Sequence, residues 1–201
     1  GGSRNYDRGS QRTDILATRM TRSRPDSSDA QYDGGRAHVV GIDPGLNRTG
    51  YAVMSRCDGK LVLHEAGVVR STSGGSLAER VAEIGSGLAE VLTEYRPQVL
   101  AIEQVFSLTR NPKSALLMAH ARGAILMTAV DGGARVVHYT PTQIKKLLTG
   151  SGKADKDQVG RVVQAELGLD APPSPHDVSD ACAVAICHLH SHQDSGRRLS
   201  A

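Results

Sequence analysis

The sequence predicts an α/β fold, a mixed β-sheet with helices packed on its faces. Two observations carry the prediction. Apolar runs of strand length, such as Val39-Val40-Gly41-Ile42 and Val99-Leu100-Ala101-Ile102, are interleaved with longer stretches whose apolar residues recur at helical spacing. The first three strand-like runs follow one another with only turns between them, and Asp58-Gly59 in the second connection is a tight-hairpin dipeptide. The resulting order, β-β-β-α-β-α-β-α-α-α, begins as an antiparallel meander and continues by alternation.

Order begins at His38. The first strand, residues 39–43, stops at Pro44-Gly45, and the second and third are expected over 51–54 and 61–69. From Ser76 to about Tyr95, Leu77, Val81, Ile84, Leu88, Val91 and Leu92 mark a helix that ends before Pro97. Residues 99–103 form a buried strand, 112–130 a second long helix and 135–139 a fifth strand. Thr140 then caps a helix with Pro141 in its first turn. Residues 155–167 form a further helix, Ala171-Pro172-Pro173-Ser174-Pro175 a loop, and 176 to about 190 the last helix. There is no internal repeat.

A chain of 201 residues suffices for one domain with a sizeable core. Residues 1–37 hold seven Arg and five Asp among Gly and Ser, with few apolar residues. Such a segment cannot offset its ordering entropy, so a disordered extension is expected, either a solvated tail or a basic arm for DNA phosphates. The domain is expected over 38–192, followed by a flexible tail over 193–201. The chain has no Trp and one Phe, Phe106, so the core must be aliphatic and Phe106 is free for another task. Three Cys without a CxxC pair fit a reducing compartment and argue against a disulfide framework or a cysteine zinc site. No run of eighteen apolar residues and no apolar leader are present, so neither a membrane span nor secretion is expected. The net charge of +3 is too small to name a partner. The alternating His188, His190 and His192 read as a frayed surface tail rather than a metal site, and Gly74-Gly75 as a plain loop.

The chemistry lies in the acids. Asp43 and Glu103 each end an apolar strand. Asp43 has a turn-capping role as its plain alternative, and Glu103 that of a buried, paired carboxylate. Asp177 and Asp180 are three apart and share a face on a helix. Asp177 could serve only the helix dipole, whereas Asp180 precedes the apolar run Ala181-Cys182-Ala183-Val184-Ala185-Ile186. If the four converge, their repulsion in a low dielectric calls for cations. Oxygen ligands select Mg²⁺ or Mn²⁺, and two such ions roughly 3.5–4 Å apart would support in-line hydrolysis of a phosphodiester.

Gly41-Ile42-Asp43-Pro44-Gly45 with Thr49-Gly50-Tyr51, Ala101-Ile102-Glu103-Gln104-Val105-Phe106, Ala121-Arg122-Gly123, Gln143-Ile144-Lys145, the segment 150–159 and Asp177-Val178-Ser179-Asp180-Ala181 together resemble the RuvC family of bacterial Holliday-junction resolvases. The resemblance spans roughly residues 38–190. It implies an RNase H-like fold, a five-stranded mixed sheet flanked by helices on both faces. It also implies a cytoplasmic homodimer that cuts two symmetric strands of a four-way DNA junction, leaving 5′-phosphate and 3′-hydroxyl ends. Asp43, Glu103, Asp177 and Asp180 would be the catalytic, metal-binding acids, holding two Mg²⁺ ions, with Mn²⁺ able to substitute. Some members carry His at the third position. Here His176 is adjacent, but the spacing to Asp180 selects Asp177. Phe106 matches the aromatic used near the junction centre, where a ring can wedge against an unstacked base. Lys145 and Lys156 match phosphate-contacting positions; Lys153, Arg110 and Lys113 could extend a basic strip. The small residues Ala115, Ala119 and Gly123 fit either packing on the sheet or a dimer interface, which the resemblance favours. A branch-migration helicase is the further partner implied. YqgF-type nucleases share the opening motif, but Glu103-Gln104-Val105-Phe106 and the closing acid pair favour the resolvase. The two-domain sugar-kinase architecture needs more chain, and a binding module without catalysis is at odds with four intact acids.

Overall fold

The computed structural model describes residues 38–104 and 112–192. The expected extension over 1–37, the tail over 193–201, and Phe106 and Arg110 lie outside the described residues. Five strands form one sheet: β1 (Val39–Asp43), β2 (Arg48–Cys57), β3 (Lys60–Arg70), β4 (Val99–Glu103) and β5 (Arg135–Tyr139), in the order β3-β2-β1-β4-β5. The meander β1-β2-β3 is antiparallel, whereas β4 pairs parallel to β1 and β5 parallel to β4. Among the described residues five helices accompany the sheet: α1 (Leu77–Tyr95), α2 (Pro112–Asp131), α3 (Pro141–Thr149), α4 (Lys156–Leu167) and α5 (His176–Ser191).

Local chemistry explains most boundaries. Asp58 and Gly59 both take positive φ, as a two-residue hairpin between right-twisted strands demands. Ser76, Thr140 and Asp155 cap α1, α3 and α4, each in a reciprocal box with Glu79, Gln143 and Gln158. Gly150 and Gly168 close α3 and α4 in the left-handed region. β2 is longer than its apolar run suggests, because Arg48, Thr49 and Gly50 pair with Arg70, Val69 and Val68. The same ladder slips between Val53↔Glu65 and Met54↔Leu63, leaving His64 as the extra residue of β3.

The sheet is buried on both faces. Val40, Ile42, Val53, Leu100 and Ile102 pack against Ile84, Leu88 and Leu92 of α1 and Ile125 and Ala129 of α2. On the other face, Val39, Ala52, Met54, Val99 and Ala101 meet Ile144 of α3, Val159 and Val163 of α4 and the apolar side of α5. The core is aliphatic, as the composition requires. Tyr51 is fully buried in it; its hydroxyl donates to Glu65 Oε1 at 2.6 Å, and Tyr95 donates to Oε2 at 2.8 Å, which accounts for a buried carboxylate. Cys57, Cys182 and Cys187 are not joined in disulfides.

One expectation fails. His188 does not belong to a frayed surface tail: it is buried in α5, hydrogen-bonded to the Tyr139 hydroxyl at 2.9 Å, and burial pushes its imidazole down to about 4. Helix α5 stays regular this far because its residues Ala181 to Cys187 remain packed in the core on this face of the sheet.

Candidate active site

Parallel pairing brings the first two acids together. Ile42 lies opposite Ile102, so the next residues, Asp43 and Glu103, end neighbouring strands side by side. Alternation settles their direction. Val39, Val99 and Ala101 face the α5 side, and a side chain at Gly41 would strike the Ala181 carbonyl oxygen at 2.3 Å and the Ala185 nitrogen at 2.6 Å. Asp43 and Glu103 have the same parity and face the same helix.

Helix α5 supplies the other two. It lies across β1 and β2 so closely that glycine is required at the two crossing points. At Gly50, the partner of Asp43 in the β1–β2 ladder, a Cβ would sit 2.0 Å from the carbonyl oxygen of Asp177. Gly41 and Gly50 thus set the height of α5 over the strands that carry the acids. Asp43, Glu103 and Asp180 line one cleft of about 240 Å³ together with Lys145 of α3 and Lys156 of α4. Asp177 is close enough to Asp43 to perturb it but is turned aside, one oxygen 2.8 Å from Arg48 Nη2.

The electrostatics show the convergence. Burial first, then the charges of Asp180, Glu103 and Asp177, push the Asp43 carboxyl up to about 7. Glu103 is raised by burial and then by Asp180, with Lys156 and Lys145 opposing. Lys156 donates to Asp180 Oδ2 at 2.8 Å, and that bond holds its ammonium above the ordinary lysine range. The donor set is all carboxylate oxygen, carries more negative charge than two lysines offset, and suits a hard divalent cation. Among the described residues no three His, Cys, Asp or Glu side chains are already closed around one point. Lysine and arginine hold the α5 acids in that arrangement.

The remaining predicted residues are more scattered. Lys153 is exposed in the α3–α4 loop and lines a separate groove with Ser151 and Arg161; Lys113 is exposed in the first turn of α2, and His176 is exposed at the start of α5. Three contributions escape a linear reading of the chain. Arg48 pairs with Asp177 from another strand, and Gly41 and Gly50 permit the helix contact; glycine inside a strand is the one signal that could have pointed to them. Arg122 of α2 donates to the carbonyl oxygen of Glu103 and, at 2.6 Å, to Nδ1 of His138, tying α2 to the strand end that carries Glu103.

Comparison with known proteins identifies the family. The family model described as crossover junction endodeoxyribonuclease RuvC matches residues 39–188. The chain is 43% identical over 172 residues to the crossover junction endodeoxyribonuclease RuvC of Rhodopirellula baltica, covering 86% of this chain and 92% of that protein. It is 46% identical over 153 residues to the enzyme of the same name from Halorhodospira halophila, covering 76% and 89%. Among solved structures, Thermus thermophilus RuvC in complex with a Holliday junction substrate superposes with a TM-score of 0.74 at 34% identity, over 79% of this chain and 96% of that one. The architecture is therefore the RNase H-like one, with a five-stranded mixed sheet and helices on both faces. A match across nearly the whole described domain, shared with relatives above 40% identity, makes this chain a nuclease of the RuvC crossover junction endodeoxyribonuclease family.

Proposed function

We propose that this nuclease resolves four-way DNA junctions by metal-dependent hydrolysis, using Asp43, Glu103, Asp177 and Asp180 to hold two divalent cations. The observation that carries the reading is the crowding of Asp43 by the other acids in and beside one cleft: a carboxyl raised to about 7 by burial and three like charges is a costly arrangement that cations relieve. Mg²⁺ fits the oxygen donors, Mn²⁺ equally so. When bound, such ions activate water and stabilise the leaving oxygen of a phosphodiester. The chain's own residues do the rest. The ends of β1 and β4 fix two carboxylates on one rigid edge, and α5 brings Asp180 into their cleft with Asp177 beside it. Lys145 and Lys156, which line the same cleft, attract the scissile phosphate and hold it against the acids. Lys153, Lys113 and Arg110 extend the phosphate-binding strip, and Phe106 wedges at the junction centre. Cutting leaves 5′-phosphate and 3′-hydroxyl ends.

A four-way junction has twofold symmetry, so an isologous dimer is its natural reader. Helix α2 has the surface for one. Leu116, Met127 and Val130 are 61%, 63% and 68% exposed, and Ala119 and Gly123 between them leave room for close approach. A branch-migration helicase would be a further partner, and the bacterial cytoplasm the setting.

The test is cleavage of a synthetic four-way junction against single-stranded RNA. Asp43→Asn should lose at least about 10³-fold in cleavage rate while binding the junction nearly as well. Cleavage of RNA alone, or a normal rate from Asp43→Asn, overturns the proposal.

A further inference from the structure

The four acids are not equally available. Asp43 is stressed by burial and by Asp180, Glu103 and Asp177, and Glu103 by burial and by Asp180. Asp180 bonds to Lys156, a wall of the cleft. Asp177 is held by Arg48, and neither residue lines the cleft. Arg48 is the first residue of β2, two before Gly50, and so stands on the α5 face beside the helix start.

As a stabilising contact this pair is poorly made. The side chains of Arg48 and Asp177 are 37% and 30% exposed, and an ion pair so close to water returns little stability. The guanidinium meets the N-terminal turn of α5, where the helix dipole disfavours a cation. Its Nε is buried without a hydrogen-bond partner, a further cost. What the pair achieves is charge compensation: it neutralises the one acid of the α5 pair that Lys156 does not reach.

We propose that Arg48 is a built-in counter-ion for Asp177, one that a divalent cation must displace before it can use that carboxylate. Arg48 thereby makes the Asp177 side of the centre the weaker of the two binding positions. It acts through Asp177 and is a positioning residue. The inference rests on Asp177 being one of the metal-binding acids, as proposed above.

The test is a Mn²⁺ titration of the full chain without DNA, with free Mn²⁺ followed by electron paramagnetic resonance. Arg48→Gln should tighten the weaker class of sites by about three- to tenfold and leave the stronger class unchanged. Arg48→Thr, acceptable in a strand, should do the same, and Arg48→Lys, which keeps the charge, should stay near wild type. Asp177→Asn should abolish the weaker class, and adding Arg48→Gln to it should change nothing further. If Asp177→Asn loses the weaker class but both neutral Arg48 variants leave its affinity unchanged or lower, the counter-ion proposal is wrong and the assignment of Asp177 survives. If Asp177→Asn keeps both classes, the assignment of Asp177 itself is wrong.

Discussion

Substituting Gly50 by Ala tests how the proposed active site is assembled. Gly50 faces Asp43 in the ladder, and an added Cβ would lie 2.0 Å from the carbonyl oxygen of Asp177, 2.5 Å from its carbonyl carbon and 3.1 Å from its Cβ. Two of these neighbours are helix backbone, which cannot swing aside as a side-chain tip can. To restore van der Waals separation the first turn of α5 must retreat by about 1 Å or more. Gly41 pins the helix further along, so α5 tilts, moving Asp177 most and Asp180 less. Overpacking of this kind costs about 1–3 kcal/mol of stability. A misplacement of about 1 Å in a reacting constellation costs on the order of 10²-fold in rate, equivalent to about 2.7 kcal/mol of barrier. Chemical denaturation and single-turnover cleavage of a four-way junction at saturating Mg²⁺ would measure the two effects. Gly41→Ala should invert the balance, because its Cβ would strike Ala181 and Ala185 deep in the core. A folded Gly50→Ala protein that cleaves at the wild-type rate would refute the idea that the β2 contact sets the position of Asp177.

Two further expectations concern charge and assembly. In chelator, the raised Asp43 carboxyl means the folded chain binds more protons than the unfolded one between its ordinary value of 3.8 and about 7, so its contribution to stability is full at the acid end and is lost as pH rises through that window. Buried His188, lowered to about 4, has the opposite sign, so the comparison needed is with Asp43→Asn: its stability relative to wild type should grow between pH 4 and 8, by on the order of a few kcal/mol, and a pH-independent difference would contradict the shift. Met127→Glu and Val130→Glu change exposed side chains, so folding stability should move by no more than about 0.5 kcal/mol. If α2 is the dimer surface, light scattering should show monomers and paired strand cutting should fail; an intact dimer would exclude that face.

Much of the site was legible because acids are out of place at the ends of apolar elements. Asp43 follows Val-Val-Gly-Ile, Glu103 follows Leu-Ala-Ile, and Asp180 precedes the apolar run of α5; the structure gathers these three in one cleft. Asp177 was ambiguous for a reason the structure makes concrete: it starts a helix, and it is turned toward Arg48. The length of β2 and the burial of His188 were misjudged because both depend on neighbours far away in the chain. Arg48–Gly50 form strand through pairing with Val68–Arg70, and His188 is buried through its contact with Tyr139.

The order and type of the elements, their caps and the kind of chemistry available belong to the sequence by itself, because periods of 2 and 3.6 residues, capping boxes and turn dipeptides are local signals. Tertiary structure decided which carboxylates share a cleft, which cations hold them, and how closely α5 approaches the sheet. Those outcomes rest on the Ile42–Ile102 register, on the missing side chains of Gly41 and Gly50, and on a partner for Asp177 drawn from the far end of the domain. They are non-local steric and electrostatic facts, which no window along the chain contains.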